Sequence, residues 1–197
     1  MNQGKIIVTF ALQSEVVELP SIPGFEFITI ITGVGKTLSA VSLMNAIIEH
    51  HPMAVINVGT AGTLHHHVGD IIVARRFVDR DLNLLPLPGI ESNIVSNCPL
   101  PSPLNSLKSE KLSQLGNSCV NTGDQFLTQA DSVEGDAFDM EAFAQAVVCQ
   151  QMNVPLVSVK YITDVVGQNS LQVWEDKLAE ARKALTTFFL DLFSLNS

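Results

Sequence analysis

Short runs of β-branched and apolar residues alternate along this chain with segments of helical periodicity. That alternation limits the fold more than any other feature, because strands apolar on both sides need cover on both faces. The runs are Lys5–Phe10, Phe25–Ile31 after the turn Ser21-Ile22-Pro23-Gly24, Ala54–Thr60, residues 70–78, a short one within Val120–Leu127, and PLVSVKYI from Pro155. Between and after them lie three helical patterns. One covers residues 39–50, with Ala40, Leu43, Met44 and Ile47 on one face. A second is N-capped by Asp139 and runs to about Gln151, burying Phe143, Ala144, Val147 and Val148. A third spans Val173 to about Leu192, with Trp174, Leu178, Ala181, Leu185, Phe188 and Leu192 three or four positions apart. The expectation is an α/β fold, a three-layer α/β/α sandwich around a central mixed sheet. Residues 1–197 are enough for one domain with a sizeable core.

The connecting segments carry weaker instructions. Gly59 and Gly62 are expected to end the third strand in a turn, and Leu84–Leu115, rich in Pro, Ser and Asn, reads as surface loop with one short helix over Leu107–Leu115. Eleven Lys and Arg stand against twenty Asp and Glu, a net charge of -9. A general affinity for nucleic acid or anionic membranes is therefore not expected, a local basic patch staying open, and a small-molecule partner is expected. Cys98, Cys119 and Cys149 are odd in number and widely spaced, which argues for free thiols in a reducing compartment and against a disulfide framework or a zinc site. No apolar run reaches the roughly 18 residues of a spanning helix, and the amino end does not resemble a secretion signal, so a cytoplasmic location is expected.

Polar residues at the carboxyl ends of strands face the ligand crevice in such folds, and Thr60, Asp79 and Asp164 hold such positions. Thr32-Gly33-Val34-Gly35-Lys36-Thr37 is not a nucleotide-phosphate loop. Ile30 stands where the Walker spacing needs its first glycine, and Leu38 where the dinucleotide fingerprint needs its third. It reads as a tight strand-to-helix turn, with contact to a ligand sugar or anion as the competing role. His65-His66-His67 reads as an exposed loop, since adjacent imidazoles cannot all point one way, and His50-His51 as a helix end. Glu15 is open between a solvated glutamate and a general base, and Asp164 between a helix cap and a catalytic acid. Asp139-Met140-Glu141 is open between a cap with a surface glutamate and a carboxylate that accepts hydrogen bonds from ribose hydroxyls.

Several segments, taken in order, resemble the nucleoside phosphorylase superfamily, and within it the methylthioadenosine/S-adenosylhomocysteine nucleosidases. They are ALQSEV at 11–16, TGVGK at 32–36, VINVGTAG at 55–62, VGDIIV at 68–73, TGDQF at 122–126, DMEAFA at 139–144 and NVPLVSVKYITD at 153–164. The resemblance implies a nucleoside phosphorylase-like fold and hydrolysis of the N-glycosidic bond of a purine nucleoside, methylthioadenosine or S-adenosylhomocysteine, by a homodimer without metal or cofactor. It implies that Glu15 activates water and that Asp164 acts as acid at the purine N7. Thr60 and Lys160 then position the water, while Phe126, Met140, Glu141 and Thr163 bind the substrate. Departures from the family pattern are Lys160 for an arginine, Asp139 for a glutamate, and Phe77-Val78-Asp79 for a Tyr-His-Asp segment. Asn57 stands where related phosphorylases carry a phosphate-binding arginine, which favours water as nucleophile. The competing readings are phosphorolysis, cleavage of futalosine or another nucleoside, and a non-catalytic nucleoside-binding protein.

Overall fold

The structure is a computed structural model that describes residues 4–85, 88–101, 104, 118–127, 134–167 and 170–194. The strands are β1 (Gly4–Phe10), β2 (Phe25–Ile31), β3 (Ala54–Thr63), β4 (Ile71–Asp79), β5 (Asn93–Val95), β6 (Ser118–Thr122), β7 (Ala137–Asp139) and β8 (Leu156–Val165). The helices are α1 (Lys36–His50), α2 (Ala142–Gln151) and α3 (Ser170–Ser194). All eight strands join one mixed sheet, in the order β2-β1-β3-β7-β6-β4-β5, with β8 pairing both β3 and β4. The pairings β3–β7, β7–β6, β6–β4, β4–β8 and β8–β3 close a ring, so part of the sheet curls on itself rather than lying open.

Alternation along the strands sends side chains to two separate cores. Ile6, Val8 and Phe10 of β1, Ile56 and Val58 of β3, and Val157, Val159 and Tyr161 of β8 face α3, meeting Ala181, Leu185, Phe189, Leu192 and Phe193. On the other face Ile7, Val55, Leu156 and Ile162 pack with Leu43 and Ile47 of α1 and with Ala142, Phe143, Ala146 and Cys149 of α2. The three layers are thus α1 and α2, the sheet, and α3. Trp174 stands apart from the apolar stripe expected of α3, because its indole turns to a polar partner described below.

Several boundaries differ from expectation for identifiable reasons. Helix α1 begins at Lys36, directly after Gly35, whose φ of 92° suits glycine at the N-cap. At its other end His51 closes the helix in the left-handed region, at φ 48°. Asp139 ends strand β7 rather than standing next to helix α2, although its Oδ2 still accepts the Ala142 N–H at 2.9 Å. The stretch read as surface loop contributes β5, antiparallel to β4, and buries Leu100 and Leu104 in the core that faces α3. The helix expected over 107–115 lies outside the described residues.

Gly59 and Gly62 do not end β3, which runs through both to Thr63. Opposite them the register between β3 and β8 shifts: Ala61 pairs with Ile162 and Gly62 with Asp164, leaving Thr163 as the extra residue. A bulge of this kind bends a strand and re-aims its side chains. Here it falls where Asp164 must turn toward the crevice. Among the described residues no helix is long and apolar enough to cross a membrane.

Phe189 is fully buried and pairs with the rings of Phe188 and Phe193. Phe189→Ala is expected to cost about 3–5 kcal/mol of folding stability, to be read from the urea midpoint at unchanged slope.

Candidate active site

A cavity of about 210 Å³ opens at the carboxyl ends of β3, β8 and β7. Its walls include Glu15, Thr60, Gly62, Arg80, Phe126, Asp139, Met140, Glu141, Thr163, Asp164 and Trp174. Of the residues expected at a site, Glu15, Thr60, Phe126, Met140, Glu141, Thr163 and Asp164 therefore come together, from positions spread over most of the chain. Lys160 is not among the lining residues; it lies just behind them.

Glu15 sits in a short 3-10 turn, Gln13–Glu15, just after β1, and is only 6% exposed, which disposes of the solvated reading. Its Oε1 accepts the Thr60 N–H at 3.1 Å and the Thr60 hydroxyl at 2.8 Å, and its Oε2 accepts the Leu12 N–H at 3.3 Å. The carboxylate lies over Gly59, where an added Cβ would stand 3.3 Å from Oε1 and 3.6 Å from the Lys160 Nζ. Gly59 is thus a place where carboxylate and ammonium approach the backbone together.

Asp164, 3% exposed, accepts the Thr163 hydroxyl on Oδ1 at 2.8 Å. Its Oδ2 lies 3.0 Å from where a Cβ on Gly62 would be, so any side chain at position 62 would press on this oxygen. Thr163 is fully buried, and its hydroxyl, which donates to Asp164, also lies 3.3 Å from the Ala61 carbonyl.

Below the cavity floor, the Lys160 ammonium lies 2.9 Å from Asp139 Oδ2, with both side chains almost completely buried. Asp139 also accepts the Thr122 hydroxyl at 2.6 Å. Burial pulls the Lys160 pKa down, but Asp139, Glu141 and Glu15 together raise it above its ordinary value. The ammonium therefore stays charged. Glu141, 6% exposed, accepts the Gly35 N–H at 2.9 Å. Burial, followed by repulsion from Asp139, pushes its pKa up to about 7 against the pull of Lys160 and the Gly35 bond. The glycine turn 32–37 thus meets this carboxylate through its backbone, while the Lys36 ammonium is engaged by Asp79 at 3.1 Å and Asp81 at 2.8 Å.

Other expectations resolve differently. Asp79 is buried, holds Lys36 and caps the turn at Asp81 and Leu82 instead of lining the cavity. Val78 is fully buried inside the sheet. Asn57 is also interior, accepting the Ser158 hydroxyl at 2.8 Å and donating to Thr9 at 3.4 Å, so it faces no ligand. His66 is half-buried, with Nε2 2.9 Å from Asp136, while His65 and His67 are exposed. Among the described residues no three His, Cys, Asp or Glu side chains gather as a metal site would require, and all three cysteines are free.

Trp174 and Arg80 line the cavity although the sequence pattern assigns neither to a site. Trp174 had been assigned to an apolar helix face, yet its indole N–H donates to Thr60 Oγ1 at 2.8 Å. Arg80 reaches across Gly123 to donate to the Gln125 carbonyl, and its buried Nη1 has no partner among the described residues. The one available signal was a cation between two aspartates in Asp79-Arg80-Asp81.

The chain matches the family model of the phosphorylase superfamily over residues 21–194. Among curated relatives, the 5'-methylthioadenosine/S-adenosylhomocysteine nucleosidase of Bacillus cytotoxicus is 28% identical over 185 residues, covering 85% of this chain and 80% of the relative. Among solved structures, the Helicobacter pylori 5'-methylthioadenosine/S-adenosylhomocysteine nucleosidase superposes with a TM-score of 0.80 at 20% identity, over 98% of each chain. The futalosine hydrolase of Helicobacter pylori superposes with a TM-score of 0.79 at 21% identity, again over 98% of each chain. These superpositions show a shared fold.

The raised pKa of Glu141 has a stability consequence with a definite sign. A carboxyl whose folded-state pKa lies above its unfolded value stabilises the fold when protonated, and that contribution is lost as pH rises from about 4.5 through about 7. Glu141→Gln, which keeps an acceptor for Gly35, is expected to gain on the order of 1–3 kcal/mol over the parent across that window. Denaturant titrations of both proteins at pH 5 and pH 8 check it: the gap should widen at the higher pH.

Proposed function

The chain belongs to the phosphorylase superfamily, with its resemblance on the methylthioadenosine/S-adenosylhomocysteine nucleosidase branch, and from that premise we propose that it hydrolyses the N-glycosidic bond of a purine nucleoside. The observation that carries this reading is that one cavity wall brings Glu15 and Asp164, two of its buried carboxyl groups, together in unlike surroundings. Glu15 is held by two backbone N–H groups and a hydroxyl, whereas Asp164 receives the Thr163 hydroxyl beside Gly62. Carboxyl groups whose environments differ in this way can divide the work of base and acid.

In this mechanism Phe126 lies against the base and Met140 beneath the sugar, while Glu141 accepts the ribose hydroxyls. Asp164, in its acid form, donates its proton to N7 as the C1'–N9 bond breaks, and the bonding pair leaves with the base. The sugar becomes cationic at C1'. Glu15 orients water and takes one of its protons as the oxygen attacks C1', giving free purine and the ribose product. Exchange with solvent returns a proton to Asp164 and removes one from Glu15. Thr60 and Lys160 serve by holding Glu15: Thr60 through two hydrogen bonds, Lys160 through its charge beside Asp139, Glu141 and Glu15.

Water rather than phosphate is the nucleophile in this reading. The acidic lining side chains are Glu15, Asp139, Glu141 and Asp164 against Arg80, and even with Asp164 protonated the carboxylates outnumber the one cation, with Lys160 already paired behind the wall. A phosphate dianion entering beside them meets net repulsion. Asn57, where related phosphorylases carry an arginine, lies inside the sheet bonded to Ser158 and Thr9 and brings no positive charge to the wall. Methylthioadenosine and S-adenosylhomocysteine are the substrates proposed first. Arg80 supports a second reading: a buried guanidinium nitrogen on the cavity wall with no partner among the described residues favours a nucleoside that offers an acceptor oxygen there, a 6-oxopurine or a carboxylate-bearing 5' substituent as in futalosine. Val34 and Phe126 are 41% and 39% exposed beside the cavity, and the proposed homodimer would place a second copy against them.

The test is incubation with methylthioadenosine, S-adenosylhomocysteine, adenosine, inosine and futalosine, with and without phosphate. Free base with a reducing sugar, independent of phosphate, is expected; ribose 1-phosphate would replace hydrolysis by phosphorolysis, and no base release from any nucleoside would leave a binding protein. Glu15→Gln and Asp164→Asn should each lower turnover by about 10²- to 10⁴-fold while folding normally by circular dichroism.

A further inference from the structure

The bond between Trp174 and Thr60 bears on which oxygen of Glu15 does the chemistry. A threonine hydroxyl has one proton and two lone pairs, whereas the indole nitrogen donates and never accepts. With Trp174 Nε1 at 2.8 Å from Thr60 Oγ1, the hydroxyl accepts from the indole. Its own proton is then free for the second close neighbour, Glu15 Oε1 at 2.8 Å, which as a carboxylate oxygen can only accept. The chain of bonds runs in one direction, from indole to hydroxyl to carboxylate. Glu15 Oε1 also takes the Thr60 N–H at 3.1 Å, so two donors occupy its two lone pairs. Oε2 has one described partner, the Leu12 N–H at 3.3 Å, and keeps a lone pair open.

We infer that Trp174 is a positioning residue for the base: by fixing the direction of the Thr60 hydroxyl it closes Oε1 of Glu15 and leaves Oε2 to bind and deprotonate water. The inference rests on the reading of Glu15 as the base. It adds a residue from α3 whose hydrogen bond reaches Glu15 by way of Thr60. Proton balance is kept, because the proton taken from water lands on Oε2 while the Thr60 proton stays on its own oxygen throughout. Without the indole, the hydroxyl can rotate to donate elsewhere and accept from solvent, and Oε1 then competes for the water in an unproductive position. Trp174 also lines the cavity, so ligand and base are read by the same ring.

Two measurements test this, and only one needs turnover. With the nucleoside that the parent protein cleaves, Trp174→Phe keeps the ring and loses the donor; kcat should fall about tenfold, the scale of one hydrogen bond, with KM within about twofold. In a Thr60→Val background the same change should alter kcat less than about twofold, and Thr60→Ser should restore the full dependence on Trp174. Losses from Trp174→Phe and Thr60→Val that multiply independently overturn the inference. The second measurement uses the fact that the sequence contains a single tryptophan, so one indole N–H resonance is expected in the ¹H–¹⁵N spectrum of the labelled protein. Thr60→Val should shift that resonance and speed its exchange with deuterated solvent, and Glu15→Gln should shift it through the hydroxyl. An unmoved resonance in Thr60→Val overturns the inference whatever the turnover. If no nucleoside is cleaved while the indole follows both substitutions, the proposed reaction fails and the Trp174–Thr60–Glu15 chain stands.

Discussion

The site depends on one buried cation. Glu15, Asp139 and Glu141 are each less than a tenth exposed, and carboxylates gathered away from water repel each other with a strength that grows as the local dielectric falls. Lys160 lies among them with its ammonium 2.9 Å from Asp139. Burial alone would strip its proton, but the carboxylates outweigh that penalty and hold it charged. The arrangement does not fully compensate: Glu141, farther from relief than Asp139, titrates near neutrality. A pair such as Lys160–Asp139 is weak evidence for global stability, since well-packed apolar residues serve a core as well. Its significance is local, because it sets a positive charge among the carboxylates gathered at the cavity wall.

The backbone makes room for this charge. Gly59 lies under Glu15 and near Lys160, and Gly62 lies against the Asp164 carboxylate. Both are in mid-strand, where glycine weakens a sheet unless a close approach requires it. The bulge at Thr163 completes the fit, since it turns Asp164 toward the same crevice that Glu15 enters from the end of β1. Without that extra residue the strict alternation of β8 would send one of its last side chains to the opposite face.

The strands and helices were legible because their signals are local: β1, β2, β3, β4 and β8 announce themselves by apolar runs, and α1, α2 and α3 by helical spacing. The site was legible in part, through polar residues at strand ends and a family resemblance that brought Glu15, Glu141 and Asp164 forward. What sequence could not show were relations between distant residues. Trp174 and Thr60 are 114 positions apart, and a tryptophan on a helical stripe reads as core unless its partner is known. Gly59 and Gly62 read as a turn because nothing local distinguishes a glycine that bends a chain from one that admits a carboxylate. Asn57 is legible only as the lack of an arginine in its motif; that strand alternation places it among Thr9 and Ser158 shows only in the fold. Leu100 and Leu104 sit in a Pro- and Ser-rich stretch and still reach the core, since a segment can be irregular in backbone and apolar in contact.

Helix α3 therefore does more than cover the sheet. Its middle and carboxyl-terminal parts bury Leu185, Phe189 and Phe193 against β1 and β8, while Trp174 near its start reaches Thr60 at the site. The Tyr161 hydroxyl, donating to Glu180 at 2.9 Å, ties the same helix to the strand that carries Asp164. Helix docking and the orientation of the Glu15 carboxylate thus share one rigid element, and side chains held by packing keep a reacting geometry more closely than side chains on free loops. The direction of a single hydroxyl proton depends, in this fold, on the packing of a helix whose sequence pattern speaks only of apolar cover.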